Sequence, residues 1–406
     1  MPAESPLHRY INKTVAFRYD GMEFHFHLSH ALFSSFDVDD GTRLLLKSIA
    51  LRMEMGGVRS VLDVGCGVGV LGICVGAHAP GAEVLMRDRD ALAAAFAAQN
   101  ASENGLPRAV VDVALGLQGL GDRRFDLILC NVPAKAGAPV IGSLFREAAV
   151  HLSGHGTAAF VIVEPLAELA RTSAAGAGLE TAWTEQGGRY LVLHLRPAAA
   201  ASGGGAHFSD APDISAYIRS RRSWDCEGTS WEAETAYSLP DFDTLGYSIV
   251  SALTILSEVS VKGEILVWNP GQGHLPVFLA RRRGRWIAGI SLASRDALEL
   301  AISERNLRSH GMAPRSVGAF PAEQALGAAL PPGSVDLLCA MPHPVPRVPW
   351  QEDLLAVARA LLSPRGRLLV GTTSTEAQRL VAARSGFRLV AGKKHLGFRS
   401  VLLERQ

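Results

Sequence analysis

The stretch from Val61 to Gly72, VLDVGCGVGVLG, constrains the fold of this chain more than any other segment. Apolar residues at its start predict a buried strand, and glycines at three alternate positions predict that the strand ends in a tight loop. The residues after the loop are apolar at helical spacing, so the loop leads into a helix whose free backbone N–H groups favour an anionic ligand. A strand, a glycine loop and a helix in this order indicate a ligand site on an α/β sheet.

Gly65, Gly67 and Gly69 follow Asp63 with one residue between successive glycines. The dinucleotide fingerprint has two residues between its second and third glycines, so this spacing favours S-adenosylmethionine. The segment resembles motif I of the class I methyltransferases. In that family the acidic residue lies beside the methionine ammonium group, and the glycines pass beneath the ribose and methionine. The resemblance implies that Asp63 and the three glycines bind the cofactor.

The chain has 406 residues, of which 48% are hydrophobic and 19% charged, and a net charge of +1. These values predict two or three globular domains and exclude a disordered chain. No apolar run approaches about 18 residues and the N-terminus has no apolar signal core, so we expect a cytoplasmic protein without a membrane span. In the sequence His274 and His343 are lone histidines outside any metal-ligand spacing pattern, so they are interpreted as hydrogen-bonded loop residues and no metal site is predicted.

A small β lead-in is predicted before motif I. Residues 15–19 and 22–27 alternate in polarity around an Asp-Gly pair, which predicts a β-hairpin. Asp39, Asp40 and Thr42 then precede an apolar helical run. Two interpretations remain open, since these residues are typical of helix capping and this segment often forms a lid over the cofactor in methyltransferases.

Asp88 ends the second predicted strand of the sheet. Open α/β sheets bind ligands at the carboxyl ends of their strands, and a carboxylate there can accept hydrogen bonds from both ribose hydroxyls. Asp90 lies two residues later and is interpreted instead as the N-cap of a helix that begins at Ala91. Asp88 is therefore the predicted ribose ligand.

The fourth predicted strand, 125–130, runs into the sequence Asn131-Val132-Pro133-Ala134. Its position at the end of a strand predicts a place on the ligand edge of the sheet, and the resemblance to methyltransferases implies that it holds the methyl acceptor. The segment resembles the Asn-Pro-Pro-Tyr or Asn-Pro-Pro-Phe tetrapeptide of amino-methyltransferases, where the asparagine oxygen and a proline carbonyl accept N–H bonds from the target amine. The resemblance implies catalytic roles for Asn131 and Pro133, and a cofactor contact for Asn131. Catalysis of this kind consists mostly of placing the amine.

Ala134 stands where the tetrapeptide carries an aromatic ring that stacks on the flipped base. A base–aromatic stack is worth roughly 1–3 kcal/mol. Either another ring, such as Phe33, covers the base or the substrate is not a nucleobase. Lys135 can meet a phosphate or carboxylate, or it is a solvated loop residue.

The second half of the chain repeats the first. A seven-stranded sheet is complete within residues 1–196, and the small-residue segment 197–206 predicts a linker. Residues 207–406 repeat the pattern at an offset of about 206, since Arg295-Asp296-Ala297-Leu298 matches Arg89-Asp90-Ala91-Leu92. The predicted fold is α/β, a tandem duplication of a seven-stranded Rossmann-like methyltransferase domain, each copy with a small β and helical N-terminal lead-in.

The second copy lacks the residues that carry the chemistry of the first, although Gly271 and Gly273 of its loop remain. At the motif I acid, the first glycine, the ribose acid and the acceptor loop it has Val267, Asn269, Ser294 and Met341-Pro342-His343-Pro344. Motif I, the ribose acid and the acceptor loop are three separate sites, and their loss together indicates a degenerate copy. The alternative is a loop that binds a somewhat different ligand.

The chain resembles the tandem-domain ribosomal-RNA guanine methyltransferases of the methyltransferase small domain family. The resemblance is carried by LFSSFDVDDGTRLLL at 32–46, VLDVGCGVGVLG at 61–72, NGL at 104–106 and FDLILCNVPAKAG at 125–137. It implies one active and one degenerate copy, methylation of a guanine exocyclic amine, and a second copy that helps to hold RNA. The chain departs from the family in two places: its intact copy comes first, and its acceptor loop lacks the first proline and the aromatic residue.

Three hypotheses for function remain open at this stage. The leading one is transfer of a methyl group from S-adenosylmethionine to an amine of an RNA base, with Arg281, Arg282 and Arg283 as candidate phosphate contacts. The second is N-methylation of a small metabolite or natural product. The third is a pseudoenzyme that binds the cofactor with little turnover. A basic surface near Asn131 favours the first, and a closed apolar pocket favours the second.

Overall fold

A computed structural model describes residues 6–198, 213–328 and 330–406. The chain divides into two compact units, Met1–Tyr217 and Ile218–Gln406. Each unit has a β-hairpin followed by a seven-stranded sheet with helices between its strands. The predicted tandem α/β architecture with β lead-ins is confirmed. Among the helices of the described ranges, none is long and apolar enough to cross a membrane.

The first unit opens with the predicted hairpin, β1 (Lys13–Tyr19) and β2 (Met22–Leu28). Alternate side chains of both strands are buried, as expected for a ribbon with one face on a core. The free edge of β2 is held by side-chain amides: Asn100 binds both the N–H and the carbonyl of His27, and Asn104 does the same at residue 25. Asn100 also donates to the carbonyl of Val68 at 2.9 Å, so the hairpin is tied to the glycine loop.

The first sheet follows the hairpin. Its strands are β3 (Ser60–Val64), β4 (Glu83–Asp88), β5 (Val110–Val113), β6 (Phe125–Asn131), β7 (Leu152–Val163), β8 (Leu179–Gly187) and β9 (Tyr190–Pro197). They lie in the order β5-β4-β3-β6-β7-β9-β8, with the first five parallel and β9 antiparallel to both of its neighbours. The carboxyl ends of the parallel strands therefore share one edge, and β9 begins at that same edge.

Helices cover this sheet. They are α1 (Asp40–Arg52), α2 (Val70–His78), α3 (Ala91–Glu103), α4 (Ala138–His151) and α5 (Ala167–Gly176). Asp90 caps α3, as predicted, by accepting from the N–H of Leu92 at 2.8 Å. Asp39 caps α1, with its carboxylate accepting from the N–H groups of Gly41 and Thr42.

The predicted linker, 197–206, lies outside the described residues beyond Ala198. Residues 213–217, which the sequence assigned to the second domain, pack in the structure with the first unit. A short 3-10 turn, Ser215–Tyr217, contacts α4, and Gln118 donates to the carbonyl of Asp213 at 2.6 Å. The domain boundaries themselves remain a prediction.

The second unit repeats the order of elements. Its strands are β10 (Ile218–Cys226), β11 (Thr229–Ala236), β12 (Gly263–Trp268), β13 (Ile287–Ser294), β14 (Val317–Ala319), β15 (Val335–Ala340), β16 (Leu362–Thr373), β17 (Phe387–His395) and β18 (Phe398–Arg405). Its helices are α6 (Tyr247–Glu258), α7 (His274–Arg283), α8 (Ala297–Ser309), α9 (Trp350–Leu361) and α10 (Ser374–Ala382). The sheet order, β14-β13-β12-β15-β16-β18-β17, is that of the first sheet. Asn306 holds the hairpin edge at Glu234, as Asn100 does in the first unit.

Candidate active site

A cavity of about 600 Å³ lies at the carboxyl edge of the first sheet. Its volume is that of a typical small-molecule site, and its wall is mostly apolar with a few polar groups. The structure brings six of the predicted site residues together on this wall: Phe33, Gly65, Gly67, Asp88, Asn131 and Pro133. Asp63, Gly69 and Lys135 are not on the cavity wall.

The glycine loop divides into two parts. Gly65 and Gly67 have φ values of +70° and +56°, which side chains rarely adopt. A Cβ atom at either position would meet no atom of the described residues within 4 Å, so the space beside the backbone is open to a ligand. Gly69 has a different role: a Cβ there would lie 2.9 Å from Ile73 Cδ1 and 3.3 Å from Ala97 Cα. It permits α2 and α3 to pack closely.

Asp63 lies beneath the loop and is fully buried. Its Oδ2 accepts from the N–H of Gly72 at 2.8 Å, in the first turn of α2, where backbone N–H groups have no partner within the helix. Within the described residues its Oδ1 has no hydrogen-bond partner. Burial raises the pKa of Asp63 to about 7, and the nearby charge of Asp88 adds to the effect. Its contact with the methionine ammonium group stays a prediction.

Asp88 closes β4 and faces the cavity. Its Oδ2 accepts from the N–H of Gly67 at 2.9 Å and its Oδ1 from the N–H of Asp90 at 2.9 Å. Each carboxylate oxygen has a further lone pair that can accept from a ligand. Burial raises the pKa of Asp88 to about 6, although the two backbone N–H groups oppose this shift.

Asn131 is held by the N-cap and the first turn of α1. Its Nδ2 donates to Asp39 Oδ2 at 3.0 Å and to Thr42 Oγ1 at 3.2 Å. Asp39 Oδ1 in turn accepts from the Tyr190 hydroxyl at 3.1 Å, and Arg189 donates to that hydroxyl at 3.2 Å. An ionised carboxylate only accepts hydrogen bonds, so it fixes the amide nitrogen on its own side. The amide oxygen of Asn131 is left as the group that can meet a ligand in the cavity.

The remaining predicted residues on the acceptor side lie in loops. Phe33 lines the cavity and is 72% exposed. Ala134 also lines the cavity, whereas Lys135 is exposed to solvent away from it. The carbonyl of Pro133 accepts from the N–H of Ala136 at 3.1 Å, which closes a turn. A carbonyl has two lone pairs, so one remains for a ligand.

The equivalent edge of the second unit is filled by its own side chains. Ser294 donates to Glu299 Oε2 at 2.8 Å and to Asn269 Oδ1 at 3.2 Å, and Asn269 donates to the carbonyl of Met341 at 3.2 Å. All four residues are buried. The N–H of Gly271 points to Glu299 Oε2 at 3.4 Å. Side-chain hydrogen bonds, one of them to the Met341 carbonyl, thus connect three strand ends whose equivalents border open space in the first unit.

The three candidate arginines lie at the end of α7. Arg281 is exposed. Arg282 donates to the carbonyls of Glu227 and Ser257 at 2.9 and 3.2 Å, and Arg283 donates to the carbonyl of Val259 at 3.4 Å. Arg282 and Arg283 therefore tie the helix to neighbouring loops. Within the described ranges, no group of three or more His, Cys, Asp or Glu residues is arranged to hold a metal ion.

Sequence reasoning did not identify Tyr190, Arg189, Ser143, Glu147 or Tyr217, all of which line the cavity. A signal for the first two was present. An antiparallel strand beside a parallel one begins where its neighbour ends, so the residues after the β8–β9 turn belong to the ligand edge. Tyr217 had no such signal, because it follows the predicted linker.

Residues 23–187 match the model of the methyltransferase small domain. The uncharacterized protein YbxB of Bacillus subtilis (strain 168) is 30% identical over 161 residues, which are 39% of this chain and 79% of YbxB. The chain belongs to the methyltransferase small domain family. It is a methyltransferase whose cofactor is S-adenosylmethionine.

Other relatives of the chain carry more specific names. The ribosomal RNA small subunit methyltransferase C of Haemophilus influenzae (strain PittEE) is 34% identical over 131 residues, 31% of this chain and 37% of that protein. Its Actinobacillus succinogenes counterpart is 39% identical over 117 residues, 28% and 32% of the two chains. The chain thus spans about a third of the length of these relatives.

One solved structure resembles both units together. It is the Thermus thermophilus 16S rRNA N2 G1207 methyltransferase (RsmC) in complex with AdoMet and guanosine, with a TM-score of 0.65, 16% identity and coverage of 98% of this chain and 99% of that one. At this identity the likeness shows the fold. It supports the tandem arrangement of two seven-stranded sheets.

Proposed function

We propose that the first unit transfers the methyl group of S-adenosylmethionine to an amine nitrogen, the exocyclic amine of a guanine in ribosomal RNA. The observation that carries the proposal is the fixed amide of Asn131, whose Nδ2 is bound by Asp39 and Thr42 on the wall of the cavity. An amide oxygen presented in this way binds a ligand that donates a hydrogen bond, as an amine does through its N–H. A carboxylate or carbonyl group of a ligand would not bind there, because its oxygens only accept hydrogen bonds.

The cofactor fits the residues present. The open space beside Gly65 and Gly67 is a place where a ligand can contact the backbone, and the Asp88 carboxylate has lone pairs for the two ribose hydroxyls. S-adenosylmethionine supplies a methyl group activated by its attachment to a sulfonium. In this orientation Asp88 would hold the ribose, and Asn131 would lie at the methyl end of the cofactor.

The chain's own contribution to catalysis is the placement of the amine. The Asn131 oxygen and the second lone pair of the Pro133 carbonyl accept the two N–H bonds of the target amine, which directs its nitrogen lone pair toward the methyl group. Such positioning replaces a bimolecular encounter by a fixed geometry. Asp39 and Tyr190 act as positioning residues, because they hold Asn131 in the required orientation.

An RNA base as the acceptor has three supports. Two of the relatives named above carry the name ribosomal RNA small subunit methyltransferase C. The exposed ring of Phe33 at the cavity supplies a stacking surface that Ala134 cannot. Arg189 lines the cavity, and its guanidinium lies over the Tyr190 ring, 5.3 Å from the ring centroid, where it can meet a phosphate.

Nucleoside analysis tests the proposal. The protein is incubated with S-adenosylmethionine and an unmodified transcript of small-subunit ribosomal RNA, alone and assembled into subunits, and the digested nucleosides are analysed by mass spectrometry. We expect N2-methylguanosine, and its disappearance in Asn131→Ala. Methylation of another nucleoside contradicts the guanine assignment.

A small-molecule amine is the second candidate, because the cavity wall is mostly apolar and Ala134 leaves the acceptor loop without a ring of its own. A parallel incubation with a small-molecule extract and labelled cofactor distinguishes it. Label in an extracted metabolite, with none in RNA, supports this alternative and contradicts the RNA proposal.

A further inference from the structure

The cavity extends well beyond the acceptor side. It runs along the sheet edge from Asn131, at the end of β6, to Ala114 and Gly116, just after β5. Strands β3 and β4 lie between them, so three inter-strand spacings, about 14 Å, separate the two ends. If the methyl group lies toward Asn131 and the ribose at Asp88, as in the proposed function on which this step rests, the nucleobase of the cofactor lies at the β5 end.

The β5 end of the cavity carries an acceptor, Glu147. This residue lies on α4, on the same face as Ser143 and Leu144, which also line the cavity. Its Oε1 accepts from the Ser143 hydroxyl at 2.8 Å, and its Oε2 accepts from the N–H of Leu117 at 3.4 Å. Burial raises the pKa of Glu147 above its usual value. A carboxylate on a cavity wall favours a ligand that brings an N–H donor.

The second polar group at this end is the hydroxyl of Tyr217. A Cβ atom at Gly116 would lie 3.6 Å from Glu147 Oε2 and 3.9 Å from Tyr217 Oη, so both groups flank the same stretch of backbone. The 3-10 turn that carries Tyr217 contacts α4 and is held by the bond from Gln118 to Asp213. Tyr217 therefore belongs to the cavity although it lies outside the residues that match the family model.

We propose that Glu147 and Tyr217 recognise the adenine of the cofactor. Glu147 accepts an N–H of the exocyclic amine, and the Tyr217 hydroxyl donates to a ring nitrogen. Adenine offers this pair, an amine donor beside nitrogen acceptors, whereas hypoxanthine has a carbonyl in place of the amine. The site therefore discriminates against a hypoxanthine base, because a carbonyl oxygen would face the Glu147 carboxylate.

Binding of two nucleosides that differ only at this position tests the assignment. The probes are S-adenosylhomocysteine and S-inosylhomocysteine, measured by calorimetry on the full chain without any methyl acceptor. We expect the unmodified protein to favour the adenosyl compound by about tenfold or more. Glu147→Gln, whose amide can donate to a carbonyl, is expected to shrink or reverse that preference. A preference unchanged in Glu147→Gln overturns the role of Glu147.

Further variants separate the possible causes. Glu180→Gln, an exposed glutamate on β8, is the matched control and keeps the full preference. Tyr217→Phe weakens both compounds, and an unchanged affinity overturns the role of Tyr217. If Glu147→Gln does not fold, Glu147→Asp withdraws the carboxylate by one methylene, and it too must reduce the preference. Asp88→Ala tests the proposed orientation of the cofactor. If this variant binds S-adenosylhomocysteine as tightly as the unmodified protein does, the orientation is wrong and the proposed function loses its cofactor placement. If Asp88→Ala weakens binding but Glu147→Gln leaves the preference unchanged, only the assignment of Glu147 is refuted.

Discussion

The two units have the same sheet order and differ at one edge. In the first, the ends of β3, β4 and β6 border a cavity, and the side chains of Asp88 and Asn131 face it. In the second, the equivalent strand ends are joined by buried hydrogen bonds through Asn269, Ser294 and Glu299. A fold can thus retain its topology while its ligand edge is closed by a few polar side chains.

The glycine loop of each unit has a backbone N–H that needs a hydrogen-bond acceptor, whether or not a ligand binds there. The loop N–H of Gly67 has an acceptor in Asp88, and the equivalent N–H of Gly271 has one in Glu299, which comes from the first turn of α8 instead of a strand end. A buried N–H without an acceptor is destabilising in either unit. The second unit therefore kept a carboxylate at this loop but moved it to another position.

The motif I acid illustrates the same rule. Asp63 and Val267 occupy equivalent positions, since each pairs with the second strand and the fourth strand of its own sheet. Asp63 accepts from the N–H of Gly72, the third residue of α2. The third residue of α7 is Pro276, which has no N–H, so Val267 leaves no donor without a partner.

The largest effect is expected from Asp63→Asn, which removes a buried charge. The second unit has no such charge, because Val267 occupies the equivalent position. The folded-state pKa of about 7 lies above the ordinary value of 3.8, so the native state binds the proton more tightly and stability falls as pH rises from about 4 to 7. At 1.36 kcal/mol per pKa unit, the destabilisation above pH 7 is about 4 kcal/mol at most. Thermal unfolding should show the variant more stable than the unmodified protein at pH 8 and similar to it at pH 4. A variant less stable at pH 8 contradicts the buried-charge account.

The next largest effect is on the rate of methyl transfer, and it distinguishes the acceptor loop of the first unit from the equivalent loop of the second. Asn131→Ala is expected to slow methyl transfer by about 100-fold, because misplacement of the reacting amine has an effect of that size. Met341 directly follows β15, as Asn131 ends β6, and its side chain packs against the Gly371 backbone. Met341→Ala should leave the transfer rate unchanged. Single-turnover rates with saturating cofactor measure both, and equal effects would refute the assignment of the active unit.

Cofactor binding distinguishes Asp88 from Ser294. Asp88→Ala removes a charged acceptor for the ribose hydroxyls, worth about 1.5–3 kcal/mol, so affinity should fall about tenfold or more. Ser294→Ala should not change affinity, because its hydroxyl is bound to Glu299 and Asn269 within the second unit. Calorimetry is expected to give one cofactor per chain. Two equivalent sites would contradict the interpretation of the second unit as degenerate.

The sequence was sufficient for features that depend on local pattern. The hairpins, the glycine loop between β3 and α2, and the distinction between Asp88 and its neighbour, the helix cap Asp90, all follow from residues close together in the chain. It left Asp39 undecided between a cap and a lid. The structure shows that Asp39 caps α1 and also holds Asn131, a contact between residues 92 positions apart that no local pattern encodes.

Long-range contacts determine the features of the site that the sequence did not predict. The orientation of Asp63, beneath the loop instead of toward the cavity, depends on the position of the first turn of α2. Tyr190 reaches the site because β9 runs antiparallel beside β7, and Tyr217 because the chain returns to α4 after the predicted linker. Spacing in sequence does not determine such returns, since they depend on which surfaces pack together.

The smallest expected effect concerns RNA and the exposed arginines of the second unit. Arg281 and Arg285 are exposed, whereas Arg282 and Arg283 bind backbone carbonyls. If the second unit binds phosphates, Arg281→Glu with Arg285→Glu should weaken binding of a structured RNA a few-fold. The slope of log K against log salt should fall by about one for each phosphate that is no longer bound. Stability should change by no more than about 0.5 kcal/mol.

The control for these arginines is Arg108→Glu, an exposed arginine of the first unit in the connection between α3 and β5, at the end of the sheet opposite the cavity. It makes half the change in net charge of the double variant, so a general charge effect would lower RNA binding by the same amount for each arginine reversed. Screening by salt acts on phosphate contacts between exposed groups and hardly on apolar packing, so titrations at two salt concentrations separate a contact from a folding defect.

Arg282→Glu should instead lower thermal stability, because it leaves the carbonyls of Glu227 and Ser257 without their donor. Unchanged affinity and slope in the Arg281 and Arg285 variant would contradict RNA binding by this surface of the second unit and favour a small-molecule acceptor at Asn131.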